Sequence, residues 1–179
     1  MSMGIPLYEV MPNAKVIAAQ VINTISVNTD KVIALEDGNR VTMLEAASHC
    51  GEKGKIYIMF GGNSLGFERE LFLDGYRDFV KSVKFQYPQS NIFLQSILPV
   101  TEYVHEKYPG VSNELINDYN TGIMELAKEM GVCYVDVAAA MVDEEGKLPA
   151  EASPSDGMHL SGPYYFKWFD YLRSHTAGN

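Results

Sequence analysis

The sequence predicts an α/β protein, a three-layer α/β/α sandwich built around a mainly parallel sheet. Short apolar runs stand at four places along it, and each is continuous rather than alternating, as in strands covered on both faces. Patterns of helical period separate most of those runs. A chain of 179 residues that is 46% hydrophobic can also bury a substantial core. It shows no internal repeat, low-complexity tract or linker, so residues 1–179 are expected to form a single domain.

In chain order, the first run is Lys15–Gln20, expected as a strand. Val32–Met43 reads two ways. The Asp37-Gly38 pair favours a tight hairpin turn, whereas Thr42-x-x-Glu45 is a capping box that would open a helix, the preferred reading. Lys55–Phe60 is the second strand. Arg69–Tyr87 follows as a helix with Leu71, Phe72, Tyr76, Phe79, Val80 and Val83 on one stripe, ended by Pro88. Asn91–Leu98 is the third strand. A helix over Asn113–Met130 turns Leu115, Ile116, Tyr119, Ile123, Leu126 and Ala127 inward and stops at Gly131. Val132–Val137 is the fourth strand, and Ser161-Gly162-Pro163 opens a last helix running through Trp168 and Leu172.

Charge narrows the function classes. A net charge of -9 argues against nucleic acid or an anionic membrane surface as the main partner. Neither cysteine, Cys50 or Cys133, has metal-ligand spacing, and Cys133 reads as a small buried hydrophobe. No apolar stretch reaches the ~18–20 residues of a membrane span, and no signal-peptide pattern is visible. A cytoplasmic location is the default expectation, with secretion left open.

Ligands of open parallel sheets bind beyond the carboxyl ends of the strands. After Lys55–Phe60 comes Gly61-Gly62-Asn63-Ser64-Leu65-Gly66, where glycines admit close approach and an Asn amide can donate to a developing oxyanion. The same loop can equally be a turn in which Asn63 satisfies backbone groups. It lacks the Lys-Ser/Thr ending of a phosphate-binding loop. After the fourth strand comes Ser155-Asp156-Gly157-Met158-His159-Leu160. A histidine base needs an acid to fix its tautomer, and an acid three residues earlier can fold back to it. Asp-x-x-His is also a common turn and helix cap. His105 reads as a solvated loop residue, His49 closes a helix, and His175 lies in the tail.

Taken together, Gly61-Gly62-Asn63 and Asp156-Gly157-Met158-His159 resemble blocks of the SGNH (GDSL-type) hydrolases, a lipase and acylhydrolase family. The wording between them fits as well: Ser96-Ile97-Leu98-Pro99-Val100, Ile116-Asn117-Asp118-Tyr119-Asn120 and Val135-Asp136-Val137. The resemblance covers about Lys55 to Leu172. It implies a flavodoxin-like sheet topology and a serine esterase with a Ser-His-Asp triad, Asp156 and His159 being acid and base. It implies Asn63, with Gly61 beside it, in the oxyanion hole. The substrate implied is a small ester, such as a carbohydrate acetyl ester, with no metal or organic cofactor.

The front of the chain departs from that pattern. The family opens with an apolar strand ending in Gly-Asp-Ser; here Ser2 is the positional candidate for the nucleophile, without the Gly-Asp. Ser64 and Ser26 are weaker candidates. The glycine of the second block has no counterpart in Val21-Ile22-Asn23-Thr24. Three explanations are open: a shortened chain, a slot filled by another segment or a partner chain, or a sheet closed up with altered pairing. An open sheet position would favour a homodimer. The rival readings are a catalytically impaired relative that binds a sugar or ester ligand, and a flavodoxin-like nucleotide or flavin module.

Overall fold

A computed structural model describes residues 10–51 and 54–175. The elements are a hairpin of β1 (Ile33–Ala34) and β2 (Arg40–Val41), then α1 (Met43–Ser48), β3 (Lys55–Ile58) and α2 (Arg69–Gln86). β4 (Asn91–Gln95), α3 (Asn113–Met130), β5 (Cys133–Val135) and α4 (Gly162–His175) follow. β3, β4 and β5 form one sheet in that order, and β3 runs parallel to β4 with Lys55 opposite Asn91 and Ile58 opposite Leu94. The α/β class and the parallel sheet are as expected. Among the described residues no helix is long and apolar enough to cross a membrane.

The chain divides into two compact units. The first comprises residues 15–94 and 122–134. Its core is aromatic: Phe60 meets Tyr76 and Phe79 edge-on, at ring separations of 5.3 Å in both cases. The buried stripe of α2 is Phe72, Leu73, Tyr76, Phe79, Val80 and Val83, one turn apart along one face. Leu71 was expected there, but it is half exposed and Leu73 takes its place. Both readings of Val32–Met43 are realised. Asp37 and Gly38 turn the β1–β2 hairpin, and Thr42 immediately caps α1, its hydroxyl accepting from Glu45 N while Glu45 accepts from Thr42 N.

Two expectations in this unit fail. Lys15–Gln20 is not a strand: it forms no ladder with any described segment, and Val16 is 44% exposed. An apolar run becomes a strand only where a neighbour pairs with its backbone. Cys133 is exposed rather than buried. It opens β5, ahead of the buried Val135, and so stands outside the covered part of the strand.

The second unit comprises the described residues 10–14, 95–121 and 135–175. Its core joins Ile97, Val100, Ile116, Tyr119, Val137 and Met141 to Trp168, Phe169 and Leu172 of α4. A buried hydrogen bond of 2.8 Å from Trp168 Nε1 to Gln95 Oε1 fixes α4 against the end of β4. Beyond β4, two asparagine side chains of α3 bond the backbone of the chain. Asn120 accepts from Ile97 N at 2.7 Å and donates to Ile97 O at 3.0 Å. Asn113, two turns earlier on the same helix, does the same for Val100 at 2.9 and 2.8 Å. Each amide imitates one rung of a ladder and satisfies the backbone N–H and C=O of Ile97 and Val100.

Candidate active site

In the second unit a short loop turns Asp156 back onto His159. Asp156 Oδ2 lies 2.7 Å from His159 Nδ1, and Oδ1 accepts from the backbone N–H groups of Met158 (3.0 Å) and His159 (2.8 Å). The Ser153 hydroxyl donates to the same Oδ1 at 3.2 Å, and the Tyr108 hydroxyl donates to Oδ2 at 3.3 Å. One carboxylate therefore collects five donors. Burial of Asp156 works against its charge, but the N–H groups of His159 and Met158 and the His159 ring outweigh it. The carboxyl is held well below the usual carboxylate range.

Gly157 makes the turn possible. Its φ is +78°, and a Cβ there would stand 2.5 Å from Thr101 Oγ1 and 3.0 Å from Val104 Cα. Both the backbone conformation and the space exclude a side chain. The 101–108 turn consequently lies flat on this glycine, with Thr101 N donating to Gly157 O at 2.9 Å. The side chain of His159 is 65% exposed against 9% for Asp156. Asp156 takes the ring's Nδ1, and Nε2 has no hydrogen-bond partner among the described residues. A buried acid, an oriented ring and an open second nitrogen are what a general base requires.

The Gly61–Gly66 loop, in the other unit, is organised differently. Asn63 Nδ2 donates to the carbonyls of Gln20 at 2.7 Å and Ile22 at 2.9 Å, so both amide hydrogens are engaged. Gly61 is buried and its carbonyl accepts from Ser64 N at 2.6 Å, closing the turn. Ser64 is fully buried, and its Oγ lies 3.5 Å from Thr24 N. Gly75 of α2 presses on the same stretch, where a Cβ would come within 2.3 Å of Thr24 O. Residues 20–24 are thus held by Asn63, Ser64 and Gly75 together.

Of the candidates read from the sequence, the structure brings Asp156 and His159 together. It places Asn63 and Gly61 in a loop that secures backbone. Ser2 lies outside the described residues. Ser26 Oγ is buried without a partner, as Thr24 Oγ1 is. His105 is exposed with Nδ1 2.9 Å from Glu102 O, His49 caps α1, and His175 stacks on Tyr171. Sequence reasoning missed Tyr108 and Ser153. Ser153 was within reach of it, standing three residues before Asp156; Tyr108 lies 48 residues away and left no local signal.

Comparison with known proteins identifies the family. Residues 11–165 match the sequence profile of the GDSL-like lipase/acylhydrolase family. No curated protein matches the chain significantly. Among solved structures, it is similar to a protein from Streptococcus pneumonia named provisionally as a platelet activating factor. The two are 27% identical over 96% of this chain and 78% of the other, with a TM-score of 0.75. A GDSL-like lipase from Bacteroides thetaiotaomicron VPI-5482 is 20% identical with a TM-score of 0.58; the match covers 68% of this chain and 61% of that one. A carbohydrate acetylesterase from Sinorhizobium meliloti is 16% identical with a TM-score of 0.58, covering 81% and 72% respectively. The last two bear on fold alone. With the profile spanning most of its length, the chain belongs to the GDSL-like lipase/acylhydrolase family.

Proposed function

We propose that this chain is a serine esterase acting on small acyl esters, with His159 as general base and Asp156 as its orienting acid. The observation that carries the reading is the 2.7 Å contact between Asp156 Oδ2 and His159 Nδ1, on a carboxylate fixed by its own loop's N–H groups. In this mechanism a serine hydroxyl attacks the ester carbonyl while His159 Nε2 takes its proton. Nδ1–H stays on Asp156, whose charge stabilises the imidazolium. The proton then passes to the departing alkoxide, and a water activated by the same nitrogen releases the acyl group from the serine. Ser2 is proposed as that serine, and a small acyl group such as a sugar-borne acetate as the substrate. A carbohydrate acetylesterase among similar folds supports the substrate class.

The test is hydrolysis of p-nitrophenyl acetate by the wild type and by His159→Ala. Turnover is expected in the first, and a fall in kcat of about 10⁴-fold or more in the second, with the fold retained. Unchanged activity in the variant would remove His159 from the mechanism. A serine-directed fluorophosphonate, mapped by mass spectrometry, is expected to label Ser2.

One observation favours a second reading, a catalytically impaired relative that binds an ester or sugar. Both hydrogens of the Asn63 amide are engaged by Gln20 O and Ile22 O, leaving neither for an oxyanion in this conformation. Absence of both turnover and fluorophosphonate labelling would select it.

A further inference from the structure

Tyr108 sits on the exposed turn that packs over Gly157, and its hydroxyl ends 3.3 Å from the carboxylate oxygen that also receives His159 Nδ1. That placement is built from several sides. Tyr108 N donates to Val104 O at 2.9 Å, closing the turn on the buried Val104. Thr101 N, at the start of the turn, is bonded to Gly157 O, one residue beyond Asp156. Tyr103 of the same turn donates to Ser153 O, so the turn grips the Asp156 loop at both ends.

We infer that Tyr108 is a positioning residue for the Asp156–His159 pair, sharing Oδ2 with the imidazole and thereby limiting how strongly the carboxylate holds the imidazolium. The inference rests on the esterase reading of that pair for its catalytic meaning, though not for its physical content. A carboxylate oxygen with two donors divides its charge between them, so each bond is weaker than it would be alone. Removing the phenol hydroxyl leaves Oδ2 to His159 and favours the protonated ring. Desolvation and the Asp156 charge both raise the Tyr108 phenol above its ordinary value, which keeps it a donor across the useful pH range. The titratable groups bonded to this carboxylate are Tyr108 from the 101–108 turn and His159 from its own loop. Glu151, on the preceding turn, is paired with Tyr164 of α4 at 3.4 Å.

The experiment titrates isotopically labelled histidine by NMR in the wild-type chain and in Tyr108→Phe, without substrate. The His159 midpoint is expected to rise by roughly half a pH unit in the variant. In the esterase assay the acid limb of kcat/KM should move by the same amount, a loss of about threefold well below the midpoint. A side chain that only packs would move neither quantity, so an unshifted midpoint overturns the proposal. Should Tyr108→Phe fail to fold, the contact can be read from its other end. In Asp156→Asn, ¹³C-labelled Tyr108 should ionise at lower pH than in the wild type, and an unmoved tyrosine overturns the proposal equally. The NMR arm needs no turnover. A shifted His159 in a chain without esterase activity would defeat the catalytic reading and leave the positioning role standing.

Discussion

The Asp156–His159 loop and the Gly61–Gly66 loop resemble two blocks of one family pattern, yet they spend their polar groups differently. In the first, the acid draws its donors from residues within three positions plus two hydroxyls, and one histidine nitrogen stays open. In the second, the asparagine reaches more than 40 residues back to tie down Gln20 and Ile22, and neither amide hydrogen stays open. A motif whose contacts are local is completed by its own sequence. A motif whose contacts are distant takes whatever backbone the fold presents to it. The first loop therefore leaves a ring nitrogen open, and the second, in this conformation, holds residues 20–24.

The sharpest way to break this comparison is Asp156→Asn. The substitution keeps the shape but replaces a charged acceptor with an amide that cannot hold Nδ1–H in the same manner. A fall in kcat of about 10⁴-fold is expected with little change in KM. Retention of full activity would make the loop a helix-capping turn and nothing more.

Gly157→Ala attacks the same loop through packing. The new Cβ meets Thr101 Oγ1 at 2.5 Å on a backbone with φ of +78°, both of which oppose it. A loss of roughly 2–4 kcal/mol is expected in denaturant unfolding, from the left-handed backbone and the overpacking together. Because the second unit carries this contact, its amides should lose hydrogen-exchange protection before those of the first. Uniform loss across both units would show that they unfold together.

Asn63→Ala tests the other side of the comparison. Two carbonyls lose their donor, but Asn63 is exposed and water can replace part of the bonding. The expected cost is about 1–2 kcal/mol in stability, with the His159 titration unmoved. The opposite outcome, unchanged stability with turnover abolished, would mean that the amide leaves Gln20 and Ile22 when substrate binds and serves the oxyanion after all.

What was legible in the sequence follows the same division between local and distant contacts. The helix over Asn113–Met130 emerged with its expected ends, since an amphipathic stripe and Gly131, at φ of +61°, set them locally. Thr42 and Glu45 announced their capping box three residues apart. Asp156 and His159 did likewise. The asparagine rungs were not legible: Asn113 and Asn120 act on Val100 and Ile97, 13 and 23 residues away, and their side chains look like ordinary helix-surface polar groups in the sequence. Lys15–Gln20 has the composition of a strand, but a strand also needs a partner, which composition does not supply. Cys133 looked buried because its neighbours are apolar, while burial along a strand is decided by where the strand enters its cover.

The smallest expected effect is the acid dependence of stability, which places the difference between the two loops on a single group. The Asp156 carboxyl is depressed below its ordinary value of 3.8 by the N–H groups and ring that surround it. A group that binds its proton more weakly when folded stabilises the folded state wherever it is ionised in both states. Its contribution is therefore complete above about pH 4 and declines as pH falls through the folded-state value, where protonation breaks the contacts to Met158, His159 and Tyr108. Unfolding monitored between pH 5 and 2 should show a steeper decline for the wild type than for Asp156→Asn, whose amide does not titrate. Asn63→Ala should keep the full wild-type slope, because that loop contributes no titrating group. Equal slopes in the wild type and Asp156→Asn would show that other carboxylates govern the acid limb, and that the donors around Asp156 hold it no more tightly than water does.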